Sequence, residues 1–136
     1  MSATLLLRIA SGLTFLHAVL HTVGGVFGKP EPGAQQSVAA IMKATSFPVM
    51  GLTRTYWDFY QGMGLAVSVF LTIEAFVFWQ LATMARTGGA QIRPLLITFL
   101  IGYLCFAAVS CLYFFAPPVI TELLIALCVG LALRAV

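Results

Sequence analysis

Two histidines and one glutamate are the residues of this 136-residue chain whose type and place point most directly to chemistry. His17 and His21 stand one helical turn apart, and Glu74 sits in an apolar run with no other charge between Asp58 and Arg86. Imidazoles at i and i+4 share a helix face, where they can hydrogen-bond, pass a proton near neutral pH or ligate a metal. Two ligands do not make a metal site, so Glu74 or a cysteine from another helix would have to complete it. Haem is another reading of the same pair. One helix cannot supply both axial ligands to one iron, and the chain has no further histidine, so haem needs a single axial ligand or a second copy. The remaining reading is hydrogen bonding, across a helix bundle to Glu74, Tyr103 or a backbone carbonyl, or to a bound ligand.

The elements that must hold these groups follow from composition. Apolar residues make up 61% of the chain and charged residues 8%, seven basic against four acidic. A soluble domain carries roughly a quarter charged residues, so a soluble enzyme, a disordered tail and a nucleic-acid-binding module are excluded. The net charge of +3 comes from scattered single residues, not from a basic run. Cys105, Cys111 and Cys128 match neither a Cys-x-x-Cys pair nor a zinc knuckle and read as small apolar packing residues.

Crossing hydrocarbon takes about 20 apolar residues, and four such spans fit: residues 4–27, 56–85, 95–115 and 119–136. The expected fold is all-α, a four-transmembrane-helix bundle forming a single integral membrane domain over residues 1–136. The connection 28–55 opens with Gly28-Lys29-Pro30-Glu31-Pro32-Gly33, which cannot continue a helix. From Ala34 to about Ser46 it alternates Val38, Ile41 and Met42 with Gln35, Gln36 and Lys43, the pattern of a short amphipathic helix lying at the interface. Pro94 suits the first turn of the third span, and Pro117-Pro118 reverses the chain before the fourth. Four spans put both termini on one side. Arg8, Arg86, Arg93 and Arg134 mark that side against Lys29, Lys43 and Arg54 on the other, which places the termini in the cytoplasm of a bacterial inner-membrane protein.

In the first span Ala10, Thr14, His17, His21, Gly24 and Gly28 form one small and polar stripe that should face the bundle. Leu6, Leu13, Leu16, Leu20 and Val23 on the other side should face lipid. In the second span Glu74 shares its face with Tyr60, Met63, Val67, Phe70, Phe78 and Leu81, whereas Gly64, Ser68 and Thr72 lie elsewhere. Antiparallel packing puts Glu74 and His17 about 6 Å apart in depth. Arg54-Thr55-Tyr56-Trp57-Asp58-Phe59-Tyr60-Gln61 reads either as an interfacial anchor with an Arg54–Asp58 pair one turn apart or as a lid over a pocket. Glu122 reads as an acid at a helix start, favoured by the helix dipole. No nucleophile elbow, phosphate loop or His-Glu-x-x-His pattern occurs.

The run Leu16-His17-Ala18-Val19-Leu20-His21-Thr22-Val23-Gly24-Gly25, with Arg54 to Tyr60, resembles a group of small uncharacterised bacterial four-span integral membrane proteins. The resemblance covers most of the chain and implies the architecture, but no activity. The opening Leu6-Leu7-Arg8-Ile9-Ala10-Ser11-Gly12-Leu13 is similar to the first helix of DoxX-type four-helix membrane proteins, which implies a link to respiratory and redox assemblies.

The expected function is binding of a small apolar or amphipathic molecule, a quinone or isoprenoid lipid, by His17, His21, Glu74, Arg54, Trp57, Asp58, Gln61 and Tyr103. One alternative is a membrane oxidoreductase with haem or metal on His17 and His21. Another is an accessory subunit of a larger complex, or a homo-oligomer, docking through Gly62-x-x-x-Ala66 and Gly64-x-x-x-Ser68. Membrane lipid is the expected surrounding partner, and nucleic acid is not expected.

Overall fold

The computed structural model describes residues 1–136 and is 80% helical. In chain order the elements are α1 (Ala3–Leu20) continuing into a π-helical turn (His21–Val26), α2 (Ala34–Ala44), β1 (Ser46–Val49), β2 (Leu52–Thr55), α3 (Tyr56–Met84), α4 (Gly89–Tyr113) and α5 (Ala116–Ala135). Four helices, Ala3–Val26, Tyr56–Met84, Gly89–Tyr113 and Ala116–Ala135, are long and apolar enough to cross a membrane. Their outer faces carry large exposed side chains such as Phe76, Leu112 and Leu127. Water would not tolerate so much contiguous apolar surface on a monomer, whereas lipid solvates it.

The chain divides into two compact units, Met1–His17 with Leu71–Val136, and Ala18–Phe70. The first unit packs segments of four helices around one core that includes Leu7, Phe78, Leu96 and Val129, all fully buried. Within it α4 and α5 form an antiparallel hairpin. Ser110 meets Glu122 near the turn, Leu100 packs over Gly130 midway, and Arg93 donates to the carbonyl of Val136 at the far end. Arg8 lies over the Trp79 ring at 3.3 Å, its charge held at the edge of the core.

The second unit holds the end of α1, its π turn, α2, the strands and the first half of α3. The hairpin β1–β2 pairs Ser46 with Thr55 and Val49 with Leu52, so the fold is mostly helical rather than all-α. Its two-residue loop places Met50 at φ 47° and Gly51 at φ 85°, the left-handed pair that a tight hairpin turn requires. Pro48 is tolerated because a two-stranded ribbon consists of edges. Phe47 packs on Tyr56 and Phe59 with ring centroids 4.7 and 5.7 Å away, seating the hairpin on the start of α3.

Two helix starts and two face assignments differ from the sequence expectation. Helix α4 begins at Gly89, so Pro94 lies inside it rather than in its first turn. Helix α5 begins at Ala116, with Pro117 and Pro118 in its opening turn and the reversal at Phe114 and Phe115. Proline fits there because the first backbone N–H groups have no intrahelical acceptor. On α1, Leu6 is 3% exposed and belongs to the core instead of facing lipid, because the first half of α1 is covered on more than one side. Gly24 and Gly28 are exposed while Val26 is buried. The wider π turn shifts the phase of the stripe, so the small residues beyond His21 leave the inner face.

Candidate functional site

The polar interior of the first unit begins on α1. Ala10 and Thr14 are fully buried, and Ser11 donates its hydroxyl to the Ala75 carbonyl at 2.7 Å, fastening α1 to α3. Helix α4 contributes Tyr103 from its buried face, which also carries Ile92, Leu96, Ala107 and Ser110. The ring lies between Phe78 and Phe106, at centroid distances of 5.9 and 6.3 Å. Its hydroxyl donates to Glu74 Oε2 at 2.7 Å and lies 3.3 Å from Thr14 Oγ1. Thus three helices supply one continuous cluster, Thr14, Tyr103 and Glu74. A buried phenol needs a partner, and a carboxyl inside a span needs a donor; each satisfies the other.

Glu74 sits at the edge of the buried face of α3. Leu71, Ala75 and Phe78 beside it are buried, Ile73 is 51% exposed, and Glu74 itself is half-buried. The carboxyl is therefore anchored from the core yet reachable from the apolar surface. His17 belongs to this unit and is half-buried one turn beyond Thr14.

The other expected site residues lie in the second unit and engage local partners. His21 Nε2 is 3.1 Å from the carbonyl of Gly64, the backbone-carbonyl reading of that imidazole. Beside it Thr22 donates to Ser68 Oγ at 2.8 Å, and Gln61 donates to the Val26 carbonyl at 3.1 Å. Trp57 receives Lys43 Nζ over its ring at 4.4 Å. Arg54 belongs to β2, not to the helix, so the one-turn spacing expected of an Arg54–Asp58 pair does not arise. Asp58 caps α3 instead. Thr55 N–H donates to Asp58 Oδ2 at 2.8 Å, and Asp58 N–H donates to Thr55 Oγ1 at 3.1 Å, a reciprocal capping box. Thr55→Ala should lower stability by about 1 kcal/mol, read as a shift in detergent unfolding followed by circular dichroism; an unchanged midpoint would show that this cap is not needed. Arg54, Asp58, Phe59 and Met63 also line an open groove of about 330 Å³ on the outside of α3.

No three His, Cys, Asp or Glu side chains converge as a group able to hold a metal ion. His17 and His21 thus gain no third ligand from this chain.

Sequence reasoning passed over Glu122. Because α5 starts at Ala116, this acid is not in the first turn, where the helix dipole would account for it. It is 6% exposed and accepts the Ser110 hydroxyl at 2.9 Å. The signal available in the sequence was its isolation, since no Lys or Arg occurs between Arg93 and Arg134.

The fold and this interior define a multi-pass helical membrane protein with an acid–phenol cluster at the edge of its core. No model of a known protein family, no curated protein and no solved structure matches the chain.

Proposed function

We propose that the protein resides in a bacterial inner membrane, with both termini cytoplasmic and α2 lying at the interface, and binds a small apolar or amphipathic molecule such as a quinone or isoprenoid lipid at the Thr14–Tyr103–Glu74 cluster. The observation that carries this reading is the half-buried Glu74 carboxyl, held from behind by a 2.7 Å bond from the Tyr103 hydroxyl while it borders exposed apolar surface. Few convergent polar groups in an aromatic, apolar setting are the usual makeup of a ligand site between helices. A carbonyl or hydroxyl head would take its hydrogen bond at the carboxyl or phenol, and the apolar body would lie among Phe78, Phe106 and the lipid-facing side chains. The resemblance to small four-span bacterial membrane proteins supports the location.

The test is lipid extraction and native mass spectrometry on protein isolated from its own membrane, followed by titration with a short-chain ubiquinone. Glu74→Gln and Tyr103→Phe should each weaken retention by about tenfold, the size of one hydrogen bond to a charged or strongly polar group. Equal retention by wild type and both variants would sink the reading.

A further inference from the structure

The α4–α5 hairpin carries a second buried acid that the Glu74 cluster does not use. Glu122 is 6% exposed, and its one hydrogen bond is the 2.9 Å contact from Ser110 Oγ to Oε1. The other oxygen, Oε2, is buried with no hydrogen-bond partner. From Pro94 to Leu133, through nearly the whole hairpin, Glu122 is the sole charged side chain. The chain thus supplies neither a countercharge nor a second donor within these two helices. Buried acceptors are almost always satisfied, and no group of the chain donates to this oxygen, which leaves it open to a donor from outside.

The same serine points to where such a donor would enter. Ser110 lines a cleft of about 260 Å³ between the ends of α4 and α5, together with Phe114, Phe115 and Val119. Both phenylalanines are largely exposed. Aromatic faces attract cations, and a carboxylate accepts N–H bonds most strongly from a charged donor. Glu122 lies six residues beyond the start of α5, about 9 Å along the helix.

We propose that this cleft, with Ser110 in its wall and Glu122 behind it, binds the primary ammonium group of a membrane-borne amine. The ammonium brings both things the acid lacks, a positive charge and N–H donors. Its alkyl body would lie along Val119 and the lipid-facing side chains. Binding requires the Glu122 carboxyl to turn toward the cleft while Ser110 exchanges its acceptor. A quaternary ammonium has the charge but no N–H, so it leaves the oxygen unpartnered and should be rejected. A phosphatidylethanolamine head group and a free lipophilic amine share this chemistry.

Native mass spectrometry of the full chain in detergent, titrated separately with dodecylamine, dodecyltrimethylammonium, short-chain phosphatidylethanolamine and short-chain phosphatidylcholine, tests the proposal. Wild type should prefer dodecylamine over its trimethylated counterpart by about tenfold, the value of one charge-assisted hydrogen bond. In Glu122→Gln that preference should vanish. The far-ultraviolet circular dichroism of Glu122→Gln should match that of wild type, which separates loss of the site from loss of the fold. Glu74→Gln should keep the preference, so failure at the Glu74 cluster and failure here are distinguishable. A matching preference for phosphatidylethanolamine over phosphatidylcholine assigns the lipid head group as the source, and a preference confined to dodecylamine assigns a free amine. Equal binding of both dodecyl heads by wild type, or a preference that survives Glu122→Gln, overturns the proposal.

Discussion

Tyr103→Ala should lower the stability of the protein by about 3–5 kcal/mol, the range for emptying a buried aromatic site. Tyr103 is 2% exposed, packs against Phe78 and Phe106, and links Glu74 to Thr14. In lipid the transfer of apolar surface contributes little between helices, so lost packing contacts dominate the ring's share. To this is added the carboxyl deprived of its donor. Tyr103→Phe separates the two effects: the ring remains, and the loss should fall to about 1–2 kcal/mol. Reversible unfolding in mixed micelles, followed by far-ultraviolet circular dichroism, reads both. Equal losses for the two variants would mean that the ring fills no essential space; no loss for Tyr103→Phe would remove the Glu74 bond from the account.

The second large effect lies in the other unit. Gly64→Leu should cost about 3 kcal/mol, the upper part of the range for overpacking. A Cβ built at Gly64 stands 2.9 Å from Val26 Cγ2. Val26 is buried and β-branched, with little rotamer freedom to retreat. Separating the two backbones would also strain the His21 contact to the Gly64 carbonyl and the Thr22–Ser68 bond. Gly64→Ala combined with Val26→Ala should cost less than the sum of the two single changes, since the two positions share one contact and their effects cannot add. Strict additivity in that double-mutant cycle would show that the close approach is not what fixes this glycine. Gly62, by contrast, meets nothing within 4 Å and should accept alanine with no measurable change.

Individual residues show which features could be read in advance. Glu74 was recognisable as a deep group because an acid in an apolar run is rare and needs a partner, and Tyr103 was among the partners the sequence allowed. The bond between them depends on how α3 and α4 rotate against each other, which their nearly uniform apolarity does not encode. The β1–β2 hairpin was missed because Pro48 and the short strand lengths suggest loop. Its signal was Met50-Gly51, a two-residue turn with glycine at its second position. Glu122 was misread because the start of α5 was placed after the prolines, which moved the acid into a first turn it does not occupy.

By itself the sequence determined the solvent, the number and approximate limits of the spans, and the short roster of polar groups that must be satisfied without water. These follow from local quantities: hydropathy over about 20 residues, charge scarcity and the positions of proline and glycine. Tertiary structure alone decided the pairings. It gave His21 a backbone carbonyl, gave Glu74 the Tyr103 hydroxyl, turned Asp58 into a helix cap and enclosed Glu122 with one oxygen unpartnered. The reason is that lipid-facing and helix-facing surfaces of a span are both apolar, so the one-dimensional pattern that orients a helix in a soluble protein is nearly absent here. Specific contacts between a few small, aromatic and polar side chains select the orientation instead.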